Sequence, residues 1–235
     1  MEQISQNTKI IGVGGYGAQA VRHISTSLYS EIDGYYADDR IKYVTSDVRV
    51  SDFVTKALLN DTQLIIVIAD AEEGIDAVNS IATVAKKAKK TTVALIKGGV
   101  GKLSPGCDCL LSIESETDAR HVCECIMQPM YAETLIGADM EDISSLLTNC
   151  GKANFKRFDG DMDSVKAEME AFSAIKGGKC VICSAVADLN KYVDKVYDVT
   201  DAAIELADKD ATVFVALSKG APGVDTVACI LVSEY

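Results

Sequence analysis

The sequence predicts an α/β protein in which a Rossmann-like parallel sheet is joined by a long central helix to a smaller mixed α/β domain. Three observations carry this expectation. Strand and helix patterns alternate through the first half, the signature of a doubly wound parallel sheet. A glycine-rich stretch, IIGVGGYGAQAV over residues 10–21, closes the first strand. Beyond a long helical run containing Pro129, the pattern changes, and the last two strands are joined directly by GAPGV.

The elements follow in order. TKIIGV is a short buried strand, GGYG a turn, and the helix it opens runs from about Ala18 to Leu28. IKYVTSD reads as a second strand and SDFVTKALLN as a short helix or loop. TQLIIVIAD is nearly all apolar, as a strand is when helices cover both faces of a parallel sheet. GIDAVNSIATVAKKAKK is the next helix, with Lys86, Lys87, Lys89 and Lys90 at the negative end of its dipole. TTVALIKG and CLLSIE are further strands. From about Ser115 to Ile136 the pattern is helical, interrupted by Pro129. NFKRFDGD, KCVICSAV, ATVFVALSK and DTVACILVSE then read as strands, with helices at about 162–175 and 190–207 between the first three. GAPGV predicts a hairpin between the last two.

With 235 residues, 48% of them hydrophobic, the chain can bury one large α/β core or two smaller ones. Its 23 Lys and Arg against 35 Asp and Glu give a net charge of -12, which repels phosphate backbones and anionic lipid. Nucleic acid and membrane insertion are therefore not expected, and no stretch approaches the roughly 20 apolar residues of a membrane span. MEQISQNTK has no apolar core of a leader, so the expected compartment is the cytoplasm. That setting favours free thiols over a disulfide framework for the eight cysteines. Cys107 and Cys109, Cys123 and Cys125, and Cys180 and Cys183 have metal-like spacings. On a helix or a strand, however, the last two pairs face different ways, so buried small hydrophobes and no metal site are expected.

Gly12, Gly14 and Gly17 match G-x-G-x-x-G between a strand and a helix, where glycine lets the backbone approach a phosphate. The pattern serves equally a dinucleotide site, a mononucleotide site, or a tight turn needed only for packing. Asp47, at the end of the second strand, has the place of a ribose-binding acid, about thirty residues past Gly17 where ~20 is usual.

KIIGVGGYGAQAV is similar to the FtsZ stretch of type K-V-I-G-V-G-G-G-G-x-N-A-V, and NDTQLIIVIAD falls where FtsZ has an A-D-M-V-F-I strand. ETLIGADMEDISSLLTNCGKA resembles the end of the FtsZ central helix with its catalytic loop, of type N-x-D-F-A-D-V, and the helix after it. DATVFVALSKGAPGVDTVACILVSEY resembles the closing hairpin. Nearly the whole chain, in order, thus resembles the FtsZ/tubulin family. The resemblance implies a nucleotide-binding-like domain over 1–114, a central helix over 115–137 and a C-terminal activation-like domain over 138–235. It also implies GTP or GDP with Mg as cofactors, and a homo-oligomer or polymer in which one subunit's acidic loop completes the next subunit's site. By this resemblance Gly14, Gly15, Tyr16, Gly17 and Gln19 carry phosphate and base contacts, with Tyr16 in place of a glycine and Gln19 in place of an asparagine. Asp139 and Asp142 match the two catalytic acids, and Gly137 replaces the leading asparagine.

The departures are concentrated at the main phosphate loop. Asp70, Ala71, Glu72, Glu73, Gly74, Ile75 and Asp76 stand where FtsZ has G-G-G-T-G-T-G. Two unit charges ~4 Å apart repel by about 4 kcal/mol at an effective dielectric of ~20, so these carboxylates oppose a triphosphate. Asp70 and Glu73 have the spacing of an N-cap and its N3 partner, which predicts a helix start that satisfies its own amides. Only about a dozen residues separate Asp47 from Asp61, which leaves no room for a further FtsZ phosphate loop.

The expected function is that of a cytoskeletal-type, self-associating protein with an eroded phosphate loop and weak or absent GTP hydrolysis, a GTPase by resemblance only. Its rival is a nucleotide-independent scaffold that holds another protein. A hard cation among Asp70, Glu72, Glu73 and Asp76 is disfavoured by the helix dipole. A dinucleotide enzyme lacks a recognisable acid or base, since His23 and His121, the only histidines, both fall in helical patterns.

Overall fold

Apolar runs flanked by helices decide the first strands. The computed structural model describes residues 8–27, 41–46, 56–57, 59–99, 106–148, 150–172, 178–192, 195, 197–223 and 225–233. Asp47 and, in SDFVTKALLN, residues 51–55 and 58 lie outside them. The chain divides into two compact units, one drawn from 1–28, 38–120 and 144–152, the other from 29–37, 121–143 and 153–235. Among the described residues no helix is long and apolar enough to cross a membrane.

In the first unit five strands, β1 (Thr8–Val13), β2 (Ile41–Ser46), β3 (Leu64–Asp70), β4 (Thr91–Lys97) and β5 (Cys109–Ile113), lie parallel in the order β2-β1-β3-β4-β5. Leu64–Ala69 and Thr91–Ile96 are buried throughout, which is why they lack polar alternation. The order reverses between β1 and β3, and loops leaving such a switch point form the ligand crevice of open α/β sheets. The glycine turn leaves β1 and the 70–74 turn leaves β3, so the topology sets them side by side. The glycines are not a turn ahead of a helix, as expected, but its first turn: α1 spans Gly14–Ser27. Helix α2 (Ile75–Lys87) packs Ile75, Val78, Ile81 and Ala85 into a core with Ile11, Ile65, Val67 and Ile96.

Helix α3 (Glu116–Tyr131) ends earlier than its pattern suggests, because Thr134–Ile136 forms a short strand, β6, against Ser218 and Leu217. Helix α4 (Met140–Leu147) follows. In the second unit β6 joins β7 (Gly151–Gly160), β8 (Cys180–Ala187), β9 (Thr212–Lys219) and β10 (Thr226–Ser233) in the order β7-β10-β8-β9-β6. The expected hairpin is therefore corrected: β8 lies between β9 and β10, parallel to the first and antiparallel to the second. The crossover through α6 (Asp198–Leu206) sets β9 on one edge of β8, which leaves β10 the other edge, beside β7. The short link crosses the end of β8, where Gly220 N–H donates to the Ala187 carbonyl (2.7 Å) and Gly223 N–H to Asp188 Oδ2 (2.9 Å). Asp188 also accepts from Asn190 N–H, so 189–192 turn instead of extending α6 backwards. Helix α5 (Met162–Ala171), capped by Asp161 accepting from Ser164 N–H, packs with α6 on Phe158, Val181, Leu217 and Ile230.

Candidate functional site

Packing fixes two of the glycines after β1. A Cβ on Gly12 would collide with the Gly17 carbonyl, and one on Gly17 with the Ile68 carbonyl of β3. Their absence of side chains lets α1 close on β1 and β3. Gly14 has φ of 69°, a conformation that costs glycine little. Gly15 differs: it is exposed, its φ is not positive, and a Cβ there would meet nothing within 4 Å. Neither packing nor conformation asks for glycine at this position, so its open side leaves room for a ligand. Gln19 is exposed on the same helix.

Tyr16 turns inward by contrast. Lys97 Nζ, at the end of β4, lies over its ring, 4.6 Å from the centroid. The Tyr16 Oη is buried and has no hydrogen-bond partner among the described residues. Burial first, then the carboxylates of Glu116, Asp118 and Asp70, push this phenol well above the ordinary tyrosine range. Glu116 and Asp118 stand in the first turn of α3, whose start is a reciprocal cap. Ser115 Oγ accepts from Asp118 N–H (3.1 Å), while Asp118 Oδ2 accepts from Ser115 N–H (3.0 Å) and Glu114 N–H (3.1 Å). The S-x-x-D spacing of 115–118 carries that signal in the sequence. Lys97 carries no such signal, because only the fold brings it to Tyr16.

The expected capping box at 70–73 is not formed. Asp70 Oδ1 accepts from Glu72 N–H (2.8 Å), two residues on, and the N-cap of α2 is Gly74, with no side-chain cap. The helix thus starts after Gly74, which approaches β3 so closely that a Cβ on it would lie 2.6 Å from that of Ala69. Ala71 N–H donates to the Lys97 carbonyl (2.9 Å), tying the turn to β4. Glu72, Glu73 and Asp76 are exposed. The α1 side of this crevice therefore suits an anionic group and the α2 side opposes one. Among the described residues no group of three or more His, Cys, Asp or Glu is arranged to hold a metal ion.

Asp139 and Asp142 are brought together in the second unit, at the start of α4. Asp142 N–H donates to Asp139 Oδ1 (2.9 Å) and Asp139 N–H to Asp142 Oδ2 (3.3 Å). The two acids thus cap their own helix, in the manner of a capping box. Gly137 ahead of them is sterically required, since a Cβ there would lie 2.8 Å from the Pro129 carbonyl and collide with Thr134 Oγ1. Leu135 beside this loop is 57% exposed.

Seven cysteines have described side chains, and of these Cys107, Cys109, Cys123, Cys125, Cys150 and Cys183 are buried. Burial pushes the Cys107 thiol up to about 12, with Asp108 adding to the shift and Lys86 opposing it.

No protein-family model and no curated protein sequence matches the chain. Solved structures do. A mutant FtsZ of M. jannaschii superposes with a TM-score of 0.75 at 14% identity, covering 98% of this chain and 91% of that one. The GDP-form protofilament structure of TubZ from Bacillus thuringiensis serovar israelensis gives 0.61 at 9% identity, covering 99% and 87%. GDP-bound CetZ1 from Haloferax volcanii gives 0.57 at 9% identity, covering 97% and 94%. Over nearly its full length, the chain has the FtsZ/tubulin-like fold.

Proposed function

We propose that this is a cytoskeletal-type protein that self-associates and binds GTP or GDP weakly, with little or no hydrolysis. The observation that carries the reading is Gly15, a glycine that neither packing nor backbone conformation explains, at the N-terminus of α1 on the switch point of an FtsZ-like sheet. Gly14, Gly15, Gly17 and Gln19, with the backbone N–H of Tyr16, are the residues assigned to nucleotide, with Mg as the accompanying cation. The neighbours' states support self-association, since the structures include an FtsZ dimer and TubZ protofilaments. Weak hydrolysis follows from the acidic 70–76 turn, which opposes phosphate, and from Asp139 and Asp142 being engaged in capping α4. The division into 1–114, 115–137 and 138–235 is retained as a functional one, and the proposed setting is the cytoplasm.

Titration of nucleotide-stripped protein with GTP and with GDP, by calorimetry in magnesium, tests this. Micromolar binding that Gly15→Val abolishes supports it. The second reading, a nucleotide-independent scaffold, is favoured by that same acidic turn. It requires no heat with either nucleotide and an assembly state, measured by sedimentation, that ignores GTP and chelators.

A further inference from the structure

Tyr16 stands where an FtsZ glycine is expected, and its half-buried side chain turns inward beside the glycine turn. Its ring covers the ammonium of Lys97, a cation that comes from β4 to the mouth of the glycine turn. Its hydroxyl is buried, without a described partner, toward the first turn of α3 and Asp70. We propose that Tyr16 is a built-in gate, which occupies the crevice beside Gly15 and competes with a nucleotide phosphate for Lys97. The inference rests on the nucleotide reading above and names the residue that sets its affinity.

The contact is suited to opening. A buried hydroxyl with no partner is a cost to the closed position, and swinging outward lets it bond to water. The ring's contact with Lys97 is a cation–π contact, which is weak where water reaches the cation, and Lys97 is half-exposed. With the ring displaced, the Lys97 ammonium is uncovered beside the first turn of α1, where the cation and the helix N-terminus together favour a phosphate. The phenol keeps its proton throughout the physiological range, because burial and the surrounding carboxylates disfavour the phenolate.

Two readouts separate the gate from the reading beneath it. The first is the rate at which an acylating reagent labels Lys97, followed by mass spectrometry without nucleotide in the wild type, Tyr16→Ala, Tyr16→Leu and Tyr16→Phe. The second is calorimetric titration of the same proteins with magnesium GTP. Labelling is expected to rise several-fold in Tyr16→Ala and Tyr16→Leu and to stay at the wild-type rate in Tyr16→Phe, which keeps the ring. GTP affinity is expected to rise at least tenfold in Tyr16→Ala and to lose that gain when Lys97→Met is added. Equal labelling in the wild type and Tyr16→Leu overturns the gate even if Tyr16→Ala does not fold. Measurable GTP binding of equal affinity in the wild type and Tyr16→Ala overturns the gate and leaves the nucleotide reading standing. Faster labelling with no GTP binding in any variant overturns the nucleotide reading, and the gate with it.

Discussion

Ser184 Oγ donates a 2.6 Å hydrogen bond to the Cys125 carbonyl, the one carbonyl of α3 that Pro129 leaves without its helical donor. Proline at i+4 has no N–H to give, and Ser184 on β8 replaces it from outside the helix. Both side chains are buried, and Gln128 Nε2 extends the seam to the Ala185 carbonyl (2.8 Å) and Ser218 Oγ (3.0 Å).

Ser184→Ala should therefore cost more than a surface serine would, about 1–3 kcal/mol, because it strands a buried carbonyl. Adding Pro129→Ala restores an N–H at the missing rung and should recover part of that loss. Urea unfolding of the two single variants and the double variant checks this. Strict additivity would show that the serine and the proline are not linked.

The glycines of the first helix turn should separate sharply. Gly17→Ala drives a methyl into the Ile68 carbonyl, and should lower the melting temperature severely or prevent folding. Gly15→Ala meets open space, and alanine is the better helix former by up to about 1 kcal/mol. Its melting temperature should hold or rise. A large loss at Gly15 would mean that this glycine, too, is a packing residue.

How much of this was readable follows from the range of each signal. The runs LIIVIAD and TVALIK declare buried parallel strands because every position along them is apolar, a local property. Thr134–Ile136 was lost in a helical pattern because three residues are too few to set a period, and only pairing to β9 makes them a strand. GAPGV read as a hairpin because strands adjacent in sequence usually pair. Here β8 had already taken the inner position, a fact of topology that no local motif records. At the site, Gly12, Gly14 and Gly17 announced a close turn, and packing explains two of them. The Asp70 and Glu73 spacing suggested a cap that Gly74 pre-empts. Lys97 over Tyr16 joins residues remote in sequence, so its chemistry emerged only with the fold.

Asp139 and Asp142 offer a test of structure against catalysis. If their main task is to cap α4, Asp139→Ala should cost about 0.5–2 kcal/mol while Asp139→Asn, which still accepts, costs a few tenths. Any GTP turnover the protein has should then survive Asp139→Asn. A stable Asp139→Ala variant whose turnover is abolished would return the residue to the catalytic role that the family pattern suggests.

The thiols should sort by burial. Cys180 is half-exposed, whereas Cys123, Cys125 and Cys183 are fully buried. Burial raises the Cys123 and Cys125 thiols far above the ordinary range and Cys107 to about 12. Since the thiolate is the reactive form, native protein alkylated near pH 8 should be modified at Cys180 well before Cys107, Cys123 or Cys125. Peptide mass spectrometry gives the order, and early loss of Cys123 or Cys125 would show that α3 opens locally.

Asp188 predicts an acid limb to the stability curve. Its carboxylate accepts from Gly223 N–H, the largest cause, and from Asn190 N–H, and these donors hold its pKa below the ordinary aspartate value. A group whose folded pKa is depressed stabilises the fold above its ordinary, unfolded pKa and loses that contribution as pH falls through the folded value. Asp188→Asn keeps one acceptor but gives up the charge-assisted bonds that pin the link between β9 and β10. The variant should be less stable than the wild type at pH 7, and the gap between their urea midpoints should close as pH falls from the ordinary aspartate range through the depressed folded value, where the wild-type carboxylate also becomes neutral. A gap that persists unchanged down to pH 2.5 would mean that the shape of the side chain, and not its charge, holds the crossing of β8 in place.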